Sequence, residues 1–203
     1  MPLKLYDKEK ILDACFKVFA RHGYVNTSTA MLAEAASISK SLIFHHFHSK
    51  KALYLSVLDR CLEKGKIEMG IDTLREGEDF FAAQEKLSII KFHYYKQNPD
   101  LMKIMLEAFY ATPDELKNEI QSKYGRLLAD NEKEWKRLLE KLPLKEGVDC
   151  ERAFRLVKLI LNYFEKKYLA EVEKQENLEE AHFRDFLKER SIYLSILRYG
   201  IEE

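Results

Sequence analysis

The chain has 203 residues, 46% of them apolar, with 34 Lys and Arg balanced by 34 Asp and Glu. That length suffices for one small module and one larger helical domain with its own core. Cys15, Cys61 and Cys150 are odd in number and far apart, which argues against a disulfide framework or a paired-cysteine zinc or redox site and leaves reduced core thiols. No apolar run is long enough to span a bilayer and no leader of basic, apolar and small residues opens the chain, so the expectation is a cytosolic protein without a membrane partner.

The periodicity is helical from end to end. Asp7 to His22 carries a broad apolar stripe of Ile11, Leu12, Cys15, Phe16, Val18 and Phe19, and Gly23 closes it. Thr27 and Ser28 offer hydroxyls to cap a short helix with Met31, Leu32, Ala35 and Ala36 at helical spacing. Ser37 and Ile38 form a break, Ser39 caps a second short helix, and Leu42, Ile43, Phe44 and Phe47 supply its apolar side. Helices this short need the upstream one to complete a core, and the small Ala33 and Ala36 allow a close approach.

Lys50 begins a long helix that passes Leu58 and Leu62 toward Ile71, with Gly65 and Gly70 marking a bend or an end. Another runs from Asp79 to Gln97 and stops before Pro99, which then sits in the first turn of a helix reaching Tyr110. Thr112, Pro113, Asp114 and Glu115 read as a capping box with proline at the first helical position, opening a helix from Pro113 toward Leu142. Pro143 and Gly147 mark a loop. Between Cys150 and Val172, apolar residues including Phe154, Leu156, Leu159, Tyr163, Phe164 and Leu169 cover more than one face. Asn177 with Glu180 opens the last helix, which has one stripe through Phe183, Phe186, Leu187, Leu194 and Leu197 and another through Ile192, Ile196 and Tyr199. The spare stripe suits a partner subunit. No strand alternation, repeat or disordered tract is evident, so the fold class is all-α.

Charge is unevenly placed. Residues 1 to 60 carry nine Lys and Arg against five acids, leaving twenty-five basic against twenty-nine acidic residues in the rest. A basic head on an acidic body points toward a phosphate backbone, although a solvated face gives the same count.

Two short helices joined by a tight turn are the pattern of a helix-turn-helix. Here Gly23, Tyr24, Thr27, Ser28, Leu32, Ala33, Ala36, Ser37, Ile38, Ser39, Ile43, Phe44, His46, Phe47, Ser49, Lys50 and Leu53 resemble the N-terminal signature of the TetR family of bacterial transcriptional regulators. The resemblance covers about the first quarter of the chain and departs at two places. Ser37 stands where the family usually has glycine, which strains a serine if φ is positive. Phe44 stands where tyrosine is usual, which removes a hydroxyl that reaches phosphate but keeps van der Waals contact with a thymine methyl.

The resemblance implies a DNA-binding domain over residues 1–49 and an effector-binding and dimerisation domain over 50–203, joined by the helix starting near Lys50. It implies a ligand-responsive regulator, most simply a repressor, binding a palindromic double-stranded operator as a homodimer through its last two helices. Lys40, Ser41, Leu42, Phe44 and His45 then face the major groove, with Ser39 opening their helix and Ala30 near the groove edge. Thr27, Ser28, Thr29, His46 and Lys50 match phosphate-holding positions, and for Thr27 and Ser28 helix capping is an equal and compatible role. For an unidentified effector, apolar or aromatic, the corresponding segments offer His93, Tyr94, Met102, Met105, Phe109, Tyr110, Tyr124 and Phe164. A Met and aromatic stripe serves equally as plain core.

Rival readings are thinner. His45, His46 and His48 invite a metal, but no carboxylate or cysteine stands at ligand spacing, so neither metal nor cofactor is expected. An all-helical small-molecule carrier or enzyme has little support, since the chain has no pair of diiron Glu-x-x-His motifs, no glycine-rich phosphate loop and no nucleophile motif.

Overall fold

The computed structural model describes residues 8–70, 79–172 and 180–201, the side chains of 169–172 excepted. These residues form α1 (Lys8–Asn26), α2 (Thr29–Ala35), α3 (Lys40–Phe47), α4 (Lys50–Met69), α5 (Phe80–Gln97), α6 (Pro99–Phe109), α7 (Lys117–Leu139), α8 (Cys150–Val172) and α9 (Glu180–Ile201), with no strand among them. The all-α expectation is met. Leu169, Asn177 and Ile71 carry expectations that lie outside the described residues or side chains.

The chain divides into two compact units. One takes Met1–Glu68 with Asn98–Lys123, and the other takes Met69–Gln97 with Tyr124–Glu203. In the first, α1 packs on α2 and α6, and α2 on α3. Phe19, Tyr24 and Tyr54 form an aromatic centre, each ring of the first two 5.1 Å from Tyr54 and set edge to face. Ile43, Leu53 and Leu58 are fully buried, which gives the short helices their anchors. In the second unit α9 packs on α8 and α5. Phe80, Trp135, Leu139, Phe154 and Val157 centre its core, and Phe92 stacks on Phe183 at 3.8 Å.

Local chemistry explains most boundaries. Asp79 Oδ1 accepts the amides of Phe81 and Ala82 and caps α5, while Asp149 accepts that of Arg152 and caps α8. Gly23 breaks α1 at φ 72°, ψ 167°, a conformation open to glycine, and one more turn follows to Asn26. α4 passes through Gly65 unbroken and ends at Gly70 with φ 58°. The capping box at Thr112 does not form. Thr112 Oγ1 instead donates back to the Ala108 carbonyl at 2.6 Å, Pro113 has ψ 139°, and a 3₁₀ turn over Asp114–Leu116 precedes α7. With Pro113 extended, the helical turn starts one residue later than the box requires and leaves Thr112 outside the capping position.

Candidate nucleic-acid interface

The candidate site is the α2–turn–α3 segment, with its supports in the first unit. Ser28 Oγ accepts the Met31 amide and Ser39 Oγ accepts the Leu42 amide, both at 3.2 Å, so each short helix has a serine cap. Between them α2 ends in a Schellman turn: Ser37 N–H donates to Glu34 O at 2.9 Å and Ile38 N–H to Ala33 O at 3.0 Å. Ser37 takes the left-handed position at φ 53°, so the strain expected of serine in place of glycine is present. A second positive φ, 62°, falls at His48, where Ser49 N–H reaches Phe47 O at 2.7 Å in a tight three-residue turn. Ser49 Oγ then accepts from Ala52 N–H and starts α4.

α3 separates its residues by face. Ile43 and Phe47 are buried, whereas Lys40, Ser41, Phe44 and His45 are exposed, Phe44 by 41%. Leu42 and His46 are half-buried, and the His45 and His46 rings lie 5.5 Å apart. Ser39 Oγ and Ser41 Oγ are 2.8 Å apart. On α2 and its approach, Ser28 and Ala30 are exposed and Thr29 half-buried. Among the described residues no three His, Cys, Asp or Glu side chains are arranged to hold a metal ion.

Two of the phosphate candidates lie beneath that surface. Thr27 is 2% exposed and its Oγ1 donates to Gly23 O at 2.6 Å. Lys50 Nζ donates to Tyr24 O at 2.9 Å and Thr27 O at 3.0 Å, and sits 4.2 Å from the Tyr24 ring centroid. Thr27 and Lys50 therefore fix the turn entering α2. Sequence spacing gave no sign of Lys50's two carbonyl acceptors.

Glu107 was also missed. Its Oε1 accepts Tyr24 N–H at 2.7 Å and its Oε2 accepts Tyr54 O–H at 2.9 Å, joining α6 to α1 and α4. A Cβ at position 23 would meet Glu107 Oε1 at 2.9 Å, so Gly23 also makes room for this carboxylate. The signal was in the sequence: an acid in the otherwise apolar end of α6 needs donors.

Ion pairs trim the basic surplus of the head. Lys51 pairs with Glu119 at 2.5 Å, holding that carboxyl below its usual range by hydrogen bonding, and Arg60 reaches Asp13 at 2.5 Å. Lys10, Lys17, Arg21 and Lys40 are exposed. Charge counting alone weights all nine cations equally.

The effector candidates fall in both units. Met102 is buried, Met105 and Phe109 half-buried and Tyr110 exposed, all on or just after α6 in the first. Tyr94, Tyr124 and Phe164 are buried and His93 exposed in the second. Phe164 packs against Tyr193 at 5.2 Å and Phe186 at 6.2 Å. Cavities of about 620 and 250 Å³ lie along α5 and α9, and none of these eight residues lines either one.

Residues 11–57 match the model of bacterial regulatory proteins of the tetR family. The chain is 36% identical over 61 residues to the HTH-type transcriptional repressor ComR of Escherichia coli K12, covering 30% of this chain and 29% of that one. It is 28% identical over 123 residues to the HTH-type transcriptional regulator QacR of Staphylococcus aureus, covering 58% and 64%. The chain thus spans less than two thirds of the length of these curated relatives. The fold extends further: the transcriptional regulator FadR from Bacillus subtilis, solved in complex with stearoyl-CoA, superposes with TM-score 0.64 over 97% of this chain and all of that one, at 17% identity.

Proposed function

We propose that this chain, whose residues 11–57 match the model of bacterial regulatory proteins of the tetR family, is a transcriptional repressor of that family, binding a palindromic operator as a homodimer and released by a small-molecule effector. The observation that carries the reading is the split of α3, with Ile43 and Phe47 holding it down while Lys40, Ser41, Phe44 and His45 stand outward. Lys40 donates to a guanine edge and Phe44 packs on a thymine methyl. Ser28, Thr29 and His46 take phosphates, with Thr27 and Lys50 shaping their turn from below. Residues 1–49 read DNA, and residues 50–203 bind the effector and the second copy.

The homodimer part rests on exposed apolar residues of the second unit: Leu159 and Tyr163 on α8, and Ile192, Ile196 and Tyr199 on α9, each more than half exposed. The effector part rests on the relative solved with an acyl-CoA. The chain acts by binding rather than catalysis, in the cytoplasm; among its described residues no helix is long and apolar enough to cross a membrane.

Selection of the purified protein on a randomised duplex pool, repeated at two salt concentrations, tests the reading. A palindrome with half-sites about one helical turn apart and a steep salt dependence is the expected result. Sequence-blind binding at both salt concentrations overturns it.

A further inference from the structure

Among the described residues Arg190 on α9 is the one buried charged side chain, 6% exposed. Its Nη1 donates to Ser88 Oγ at 2.6 Å, and the Ser88 hydroxyl is itself donated to the Gln84 carbonyl at 2.9 Å. The Phe186 ring lies 5.5 Å from the guanidinium carbon. Nε is buried with no hydrogen-bond partner, and burial draws the guanidinium's pKa below its ordinary value, with Glu85 and Glu165 acting the other way. A guanidinium removed from water with only a hydroxyl and a ring face is under-compensated, and an anion placed against it gains what a surface pair would not.

The geometry beside it accommodates such an anion. Arg190 lines a cavity of about 250 Å³ between α5 and α9, walled by Phe81, Leu187 and Leu194 and edged by Ser191. Arg198 lines it too, but its Nη1 is 3.6 Å from Asp79 Oδ1 and its guanidinium lies over the Phe81 ring. Arg190 is therefore the cation with capacity to spare. Glu85, exposed at the mouth, is the chain's own competing carboxylate. Through Glu85, Leu187, Ser191 and Ser195 the cavity opens into a groove of about 620 Å³ with Ile192 and Ile196 on its wall.

We propose that this cavity binds a small monocarboxylate with an apolar body, the carboxylate accepting from Arg190 and the body lying on Phe81, Leu187 and Leu194. One carboxylate matches one guanidinium held by a single serine, and apolar walls leave few donors for the further oxygens of a phosphate. The inference rests on the proposed effector-dependent function, for which it supplies the ligand class.

Trp135, the chain's one tryptophan, has its ring 6.0 Å from Phe80, the neighbour of Phe81 in sequence, and reports on the site by fluorescence. Wild-type protein is titrated without DNA with benzoate and hexanoate, and with benzamide and hexanamide as neutral counterparts. The acids are expected to give a saturable response at least about tenfold tighter than the amides, the worth of a charge-assisted pair. Glu85→Gln is expected to tighten acid binding and Arg190→Gln to abolish it. Should Arg190→Gln not fold, the ¹⁵N signal of the wild-type Arg190 Nε–H serves instead, moving with benzoate and not with benzamide. Equal binding of acids and amides, no saturable response in both wild type and Glu85→Gln, or an Nε–H signal unmoved at saturation overturns the site. Because the titration contains no DNA, its failure leaves operator reading intact, and failed operator selection leaves the titration interpretable.

Discussion

Both units set cations against aromatic rings, and two of these, Lys50 and Arg190, are completed differently. Lys50 in the first places its ammonium on the Tyr24 and Thr27 carbonyls, over the Tyr24 ring. Arg190 in the second has one serine oxygen, the Phe186 ring and a buried N–H left over. A closed set of acceptors makes a structural fastening, whereas an open one keeps capacity for something that arrives later. Burial acts on neutral acids in both: in the first unit it pushes Cys15, Cys61 and Tyr24 all up to about 12, with Glu115 and Glu119 adding to the effect on Tyr24, and in the second it also raises Cys150.

Alkaline titration should break the comparison most forcefully. Folding holds the protons of Cys15, Cys61 and Tyr24 more tightly than the unfolded chain does, with unfolded values of 9.0, 9.0 and 10.0. Stability from these groups is full below about pH 9 and is lost as pH rises through 9 to 12. Melting followed by exchange of first-unit amides should show a steep fall across that window, and Cys15→Ala with Cys61→Ala should flatten it.

Next in size is the direct contrast of the cations. Lys50→Met removes the ammonium from two carbonyls, of which that of Tyr24 keeps the Thr27 N–H at 3.3 Å, and should cost about 2 kcal/mol in denaturant unfolding. Arg190→Met replaces an incompletely paired buried charge with an apolar side chain and should change stability by less than about 1 kcal/mol, or raise it. A large loss for Arg190→Met would mean that the second unit closes its cation as fully as the first.

Lys40→Ala probes an exposed cation with no structural duty. It should leave unfolding unchanged while costing about 1–3 kcal/mol at one guanine of the selected operator and relaxing preference there. The smallest effect is expected for Ser37→Gly. Relieving φ 53° should stabilise the first unit by about 0.5–1 kcal/mol, read as a higher denaturant midpoint with unchanged slope.

How much of this was legible in sequence follows from the range of each interaction. Caps act over two or three residues, so Ser28, Ser39 and the stops before Pro99 and at Gly70 were readable. So was the strain at Ser37, once the turn was recognised. The false capping box at Thr112 shows the limit of that reading: Pro113 stays extended, so the helix starts a residue late and Thr112 falls outside it. Contacts across the fold left weaker traces. Glu107 meeting Tyr24 and Tyr54, Lys50 reaching back to the end of α1, and Arg190 finding Ser88 all span more than twenty positions. Of these only Glu107, an acid in the apolar end of α6, was announced by its setting in the sequence. The face of α3 was legible because helical periodicity alone sorts Ile43 and Phe47 from Lys40 and Phe44.

Glu107 has a consequence of a mechanical kind. One carboxylate serves the backbone where α1 breaks and the phenol of Tyr54 on α4, at 2.7 and 2.9 Å. Sliding α6 by about 1 Å stretches both contacts beyond useful hydrogen-bond length together, because a single carboxylate carries both. The joint therefore behaves as a detent with a seated and an unseated position and little between, so that a graded push on α6 would reach the helices proposed to read DNA as a step.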